Sequence, residues 1–220
     1  MENNNVKLSE TSLESLYLKK DFKGAKEFLL KHRDIFNSGQ YHYNLGTLDL
    51  KLGDYPVARY HLERALQSGY LHPKVYKNLQ ISTELLQVKS SEAQMTYWDQ
   101  FLFIGKSLPA DGLIGASLLL MVFLALAWYR KWIRSVKAIC SFAVIALIPL
   151  VLYALMIPLD VAIVLKKVSL REGPSAIYSE TVQIEAGHKI ILGERNGQWY
   201  FVRSPLKFAG WIEASNLGLL

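Results

Sequence analysis

Two stretches without a single charge decide what this chain can become. Residues 112–129 (GLIGASLLLMVFLALAWY) and 138–159 (AICSFAVIALIPLVLYALMIPL) contain no Asp, Glu, Lys or Arg. About 20 apolar residues carry a helix across a bilayer core, and about 18 suffice. Each run is apolar all round rather than along one stripe, which argues against a pair of ordinary amphipathic core helices. Transmembrane helices are therefore expected at 112–131 and 138–159. Pro149 is accommodated mid-span by a kink, and Pro158 and Asp160 suit the exit. Hydrophobic residues make up 51% of the 220, and their excess is concentrated in this middle section.

Between the runs lie Arg130, Lys131, Arg134 and Lys137 with no acidic residue among them. Short Lys/Arg-rich loops stay in the cytoplasm. A helical hairpin with a cytoplasmic tip (loop 132–137) follows, and both flanking parts are expected outside. Trp128, Tyr129 and Trp132 would form the inner aromatic belt, and Trp98, Phe101 and Phe103 the outer one. The opening MENNNVKLSE has no apolar core of the signal-peptide kind. Export of the first 110 residues is thus expected to rest on the first span or on a leader already removed; the alternative is an inverted topology. The net charge of +6 is spread evenly along the chain, so no strong footprint for nucleic acid exists. Composition also excludes a disordered, collagen-like or disulfide-framework chain. Cys140 is the only cysteine and reads as a buried, inert thiol in the second span.

Residues 9–104 read as helix after helix, behind a disordered tail at 1–8 and before a linker at 105–111. Asn44-Leu45 recurs as Asn78-Leu79. Leu45-Gly46, the turn Gly53-Asp54-Tyr55, then Ala58, Leu62 and Ala65, with Pro73 opening the next helix, resemble the tetratricopeptide repeat (TPR), whose period is about 34 residues. Asp21-Phe22-Lys23-Gly24-Ala25 is an earlier copy, and 73–104 a degenerate third one. Stacked helix pairs leave a concave groove. Gln40, Tyr43, Asn44 and Thr47 are expected to line it, joined by Lys74, Lys77 and Asn78. Asn44 and Lys74 fit a carboxylate clamp, whereas Glu10 and Glu14 oppose one, so a plain protein-binding groove is the better reading. His32, His42, His61, His72 and His188 show no metal-ligand spacing and read as surface or packed side chains.

After Asp160 the period changes to that of strands. Val161–Leu165, Val168–Arg171, Thr181–Ile184, His188–Leu192, Trp199–Arg203 and Gly210–Ile212 are apolar-rich runs separated by turn residues. Asn196-Gly197 between two of them is a hairpin signal, and the whole suggests a small barrel over 160–220. Leu170-Arg171-Glu172-Gly173-Pro174-Ser175, Glu185-Ala186-Gly187, Gly197-Gln198-Trp199-Tyr200-Phe201-Val202 and Gly210-Trp211-Ile212 resemble a bacterial SH3-like (SH3b) domain. The resemblance implies an aromatic groove, for which Tyr178, Trp199 and Trp211 are candidates. Trp199 is expected instead to fill the core of so small a barrel; Trp211 is open to either role.

The fold class expected is thus multidomain: an all-α TPR repeat, a two-helix transmembrane hairpin and an all-β SH3-like barrel. That order, with Tyr43-Asn44-Leu45-Gly46 and Leu62-Glu63-Arg64-Ala65-Leu66, resembles the BatE-type proteins of the Bacteroides aerotolerance (Bat) operon. The resemblance implies an inner-membrane scaffold with periplasmic domains. It also implies von Willebrand-A-domain membrane proteins as partners, a MoxR-type ATPase as an indirect one, and a role in cell-envelope assembly or stress tolerance. A peptidoglycan-binding tether acting through the SH3-like part is the alternative, and a transporter subunit ranks last because two spans are too few for a pathway and neither apolar run holds an ionisable residue of the kind transport sites use. No GxSxG, phosphate-binding glycine loop, CxxC or zinc motif is present. A non-enzyme without cofactor, metal or nucleic-acid partner is expected.

Overall fold

A computed structural model describes residues 12–87, 97, 110–132, 135–156 and 160–220. They form two compact units: the first 100 residues together with Asp160–Leu220, and Phe101–Leu159. The two ends of the chain therefore fold as one body, although the sequence reads as a row of separate modules.

The helical part of the first unit contains α1 (12–18), α2 (Phe22–Lys31), α3 (Ser38–Leu52), α4 (Tyr55–Gln67) and α5 (Pro73–Leu85). Local chemistry sets the boundaries. The Asp21 carboxylate accepts the Gly24 amide at 2.9 Å, and Asn37 Oδ1 accepts the Gln40 amide at 2.8 Å, both N-caps. Gly53 ends α3 at φ 83°, in the left-handed region where glycine is strain-free. Pro73 occupies the first turn of α5, where its missing N–H costs nothing. Gly46 lets α3 and α4 approach: a Cβ there would lie 2.7 Å from Leu62 Cγ. Ala25, Leu29, Leu45 and Leu48 form one buried cluster and Leu62, Ala65, Leu66 and Val75 the next. The expected turns at 53–55 and 73 are where the sequence puts them; the second helix of the degenerate copy lies outside the described residues.

Seven strands follow: β1 (Asp160–Val164), β2 (Val168–Arg171), β3 (Glu180–Ile184), β4 (Lys189–Asn196), β5 (Trp199–Ser204), β6 (Gly210–Glu213) and β7 (Leu217–Leu219). They make one antiparallel sheet in the order β3-β2-β6-β5-β4-β1-β7. Side chains from both edge strands, Ile184 and Leu217, enter a single core with Leu170, Ile190, Tyr200, Val202 and Ile212, so the sheet wraps round that core. The β4–β5 hairpin turns on Gly197-Gln198, because Asn196 already pairs with Trp199. Gly197 at φ 59° occupies the first turn position, as a two-residue II′ turn requires. β7 was not expected from the sequence.

β1 and β4 break the usual alternation. Val161 to Val164 and Lys189 to Leu192 are buried at every position. Ala162, Val164, Ile190 and Leu192 point into the sheet core. The opposite face pairs Val161 with Ile191 and Ile163 with Lys189, and α4 packs on β1 there. Across this seam Lys189 Nζ donates to Glu63 Oε2 at 2.9 Å, and Arg59 Nη1 donates to the Gly187 carbonyl at 2.8 Å. Arg59 Nη2 also stands 3.8 Å from Glu63 Oε1. Two glycines admit helix side chains at contact distance: a Cβ on Gly187 would lie 2.6 Å from Leu86, and one on Gly218 2.6 Å from the Tyr60 ring.

The second unit holds α6 (Ala110–Tyr129) and α7 (Val136–Met156). Both helices are long and apolar enough to cross a membrane, and only 11% and 6% of their apolar windows are buried within the molecule. Within the described residues, α6 ends two residues earlier and α7 starts two residues earlier than the sequence reading places them. Buried Ser117, Ala127 and Ala146 are small, which lets the backbones approach, and Ser117 Oγ donates to the Ala146 carbonyl at 2.6 Å. α7 runs unbroken through Pro149. Cys140 is exposed on α7, not buried as expected, because it lies off the α6 contact face.

The seam gives a test of the one-body arrangement. Lys189→Ala removes the nearer of the two cations that face the buried Glu63 carboxylate and is expected to lower unfolding stability by about 3 kcal/mol. Glu63→Leu combined with Lys189→Met removes both charges of the 2.9 Å pair, leaves Arg59 on the Gly187 carbonyl, and is expected to recover part of the loss. Chemical denaturation in detergent measures both. Equal losses in the single and double variants would exclude a buried pair.

Candidate functional site

Helices α1 and α3 enclose a concavity of about 240 Å³. Its floor is apolar, from Leu13, Tyr17, Phe36 and Leu48; Glu14, Gln40, Asn44 and Thr47 line its polar side. Three expected groove residues, Gln40, Asn44 and Thr47, are thus brought together. They recur along α3 at spacings of four and three, one face of a helix.

The other four fall elsewhere. Tyr43 packs with its ring centroid 5.4 Å from Tyr70 and 6.4 Å from His72, because it lies round the helix from Asn44 and faces the turn into α5. Asn78 donates to Thr47 Oγ1 at 3.0 Å and Thr47 donates to the Tyr43 carbonyl at 2.8 Å, so Asn78 ties α5 to α3. Lys74 and Lys77 are exposed on α5 and do not line the concavity. Glu14 lies in it, as the sequence argument against a carboxylate clamp requires; Glu10 lies outside the described residues.

On the sheet, strand parity decides which aromatics are available. Tyr200, Val202 and Ile212 point inward, so Trp199, Phe201 and Trp211 lie half-buried on the outer face. Trp199 is therefore not a core filler. It lines a second concavity of about 180 Å³ with Ser169, Arg171, Glu180, Glu213 and Asn216. Trp211 meets Phe201 edge-on at 5.6 Å. Tyr178 covers Gly173, where a Cβ would lie 2.6 Å from its ring. One guanidinium holds that loop: Arg171 donates to the Ala176 and Tyr178 carbonyls at 2.9 and 2.7 Å and to Glu180 at 3.1 Å. Trp199 and Trp211 thus share a sheet face, Tyr178 lies on the loop between β2 and β3, and the three do not line one concavity.

The histidines hold a feature that the sequence reading missed. His42 Nδ1 and His61 Nδ1 stand 3.0 Å apart with their rings stacked, so one proton is shared between two nitrogens. His61 Nε2 lies 3.8 Å from Asp49 Oδ2, and Lys26 Nζ donates to Asp49 Oδ1 at 2.5 Å. Asp49 is fully buried. The chain Lys26–Asp49–His61–His42 joins α2, α3 and α4. Burial, aided by Arg64 and Arg33, lowers His42 to about 4. Burial, aided by His42, Lys26 and Arg64, lowers His61 to about 3. Burial raises Asp49 against the opposing pull of Lys26. The spacing of 19 residues between these histidines fits no metal motif, yet it places both on the α3–α4 contact; that antiparallel geometry was the available signal. Among the described residues no group of three or more His, Cys, Asp or Glu is arranged to hold a metal ion.

Folded-state values below the ordinary 6.5 mean that the unfolded chain takes up protons first as pH falls. The histidine contribution to stability is therefore present above pH 6.5 and is lost as pH falls from there through about 4 for His42 and about 3 for His61. Asp49 works in the opposite sense, since acid relieves the burial of its charge. His42→Leu with His61→Leu is expected to flatten the fall in urea midpoint between pH 7 and 4.5; an unchanged slope would exclude the pair as its source. Compared with known proteins, the chain matches no family model, no curated protein and no solved structure.

Proposed function

We propose that this protein is a non-catalytic, membrane-anchored scaffold whose helical groove engages a partner protein. The observation that carries the reading is the concavity between α1 and α3, an apolar floor edged by Glu14, Gln40, Asn44 and Thr47. A floor with a few polar groups at its edge suits a side chain of a protein partner held in register. The TPR-like spacing of Gly46, Ala58, Leu62 and Ala65 supports the same reading, as does the close α3–α4 approach at Gly46.

The anchor in this proposal is the α6–α7 pair, crossing the bilayer twice. Support comes from the length and exposure of both helices and from the seam. Residues before and after the pair belong to one compact unit, so a chain that leaves that unit must return to the same side, and two crossings satisfy this. The basic residues Arg130, Lys131, Arg134 and Lys137 would then keep the tip in the cytoplasm of a bacterial inner membrane, with the TPR-like and SH3-like parts together in the periplasm. Von Willebrand-A-domain membrane proteins of a Bat-type complex, and through them a MoxR-type ATPase, are the partners proposed.

A photo-crosslinker at Asn44 in native membranes is expected to capture a partner of this class. Gln40→Ala with Glu14→Ala should reduce capture about tenfold while leaving the unfolding midpoint nearly unchanged, as exposed or half-exposed substitutions usually do. Capture that ignores both substitutions would remove the groove from the account.

A second reading is favoured by Trp199, whose half-buried ring lines the sheet concavity beside Glu213 and Arg171. It makes the SH3-like part a peptidoglycan-binding tether. The full chain in detergent should then pellet with purified sacculi, and Trp199→Ala should abolish pelleting. Recovery of the parent protein in the supernatant would eliminate this reading.

A further inference from the structure

We propose that the tip of the α6–α7 pair is a binding surface for the headgroups of anionic phospholipids, an inference that rests on the membrane-anchored reading. Arg130 and Lys131 follow the end of α6, Lys137 lies in the first turn of α7, and all three are exposed. α6 closes there on a left-handed residue: Lys131 adopts φ 58°, and the Lys131 and Trp132 amides donate to the Trp128 and Ala127 carbonyls at 2.9 Å. Three cations are thereby gathered at one end of the helix pair.

Nothing in this unit neutralises them. The sequence from 112 to 159 contains no acidic residue. Asp111 is in the first turn of α6, a full helix length of roughly 30 Å from the tip. Counter-charge at the tip must come from outside this unit. Trp128, Tyr129 and Trp132 are 63%, 81% and 72% exposed beside the cations. Indole and phenol rings settle at the level of lipid headgroups, which sets the adjacent ammonium and guanidinium groups at phosphate depth. Arginine and lysine there meet a phosphodiester already held in the plane they occupy. A mobile phosphate in water lacks that positioning, so the lipid is the ligand that the geometry selects.

The test uses the full chain reconstituted in nanodiscs of phosphatidylcholine, with or without phosphatidylglycerol, and native mass spectrometry of the lipids it retains. The parent protein is expected to enrich phosphatidylglycerol by roughly fivefold per cation at low salt, with the preference fading as salt rises. Arg130→Gln, Lys131→Gln and Lys137→Gln together should abolish the enrichment, and Lys137→Gln alone should remove about one share of it. Lys19→Gln, Lys23→Gln and Lys51→Gln together, equal in charge change, should leave it intact. Equal retention of both lipids by the parent, or enrichment that survives the triple change at the tip, would overturn the proposal. Competition by inorganic phosphate as effective as that of phosphatidylglycerol would replace the lipid with a free anion and overturn it too. Failure to enter phosphatidylcholine nanodiscs would overturn the membrane reading and this inference with it, whereas entry without headgroup preference would overturn the inference alone.

Discussion

Glu63 and Lys189 are separated in sequence by a pair of apolar helices, yet their side chains meet at 2.9 Å where solvent does not reach. A buried charge without a partner is among the most expensive defects a protein can contain, so each of these residues requires the other. A buried pair contributes little net stability compared with an apolar replacement. Its effect is on geometry: Lys189 fixes where β4 sits on α4, and the Arg59 bond to the Gly187 carbonyl fixes the turn before β4. The groove on α3 and the concavity on β5 and β6 are therefore held by one framework, because α3 packs on α4 and β5 pairs with β4.

The sequence makes much of this framework legible, and the reasons are local. Gly53, Pro73 and Gly197 mark boundaries because backbone conformation at those positions depends on the residue itself. The α3–α4 pair is legible through Gly46, Ala58 and Ala65, where small side chains mark close helix approach. The apolar runs at 112–129 and 138–159 need no context at all. Of the groove, Gln40, Asn44 and Thr47 follow from helical spacing, whereas Tyr43 requires knowing where the next helix turns.

What escapes the sequence is what depends on parity or on distance. Trp199 and Tyr200 are adjacent aromatics, and a shift of one residue exchanges which faces the core; only the pairing of Tyr200 with Ile212 decides it. The histidine pair depends on the rotation of α3 against α4: the spacing brings both residues to that contact, but only the packed helices turn the rings toward each other. The seam did leave a trace. Val161-Ala-Ile-Val-Leu165 does not alternate, and an unbroken apolar strand is one covered on both faces. A lysine next to Ile190-Ile191-Leu192 in a strand of the same kind points to a buried carboxylate partner elsewhere.

A single seam between the two ends of the chain also constrains how the apolar helices can be used. If the chain crossed a bilayer once or three times between Gln100 and Asp160, the two halves of the first unit would lie on opposite sides and Glu63 could not meet Lys189. Two crossings, or none, are the arrangements that preserve the pair. No crossing would leave Leu119, Phe123, Val144 and Ile145 facing water, each more than half exposed, and burial of a side chain of this size is worth about 1.5–3 kcal/mol. Several such residues on each helix form an apolar surface of the kind that a bilayer or another apolar partner covers. Within the proposed membrane-anchored reading, the buried ion pair and the exposed apolar helices constrain each other: one requires an even number of crossings, and the other supplies two helices long and apolar enough to make them.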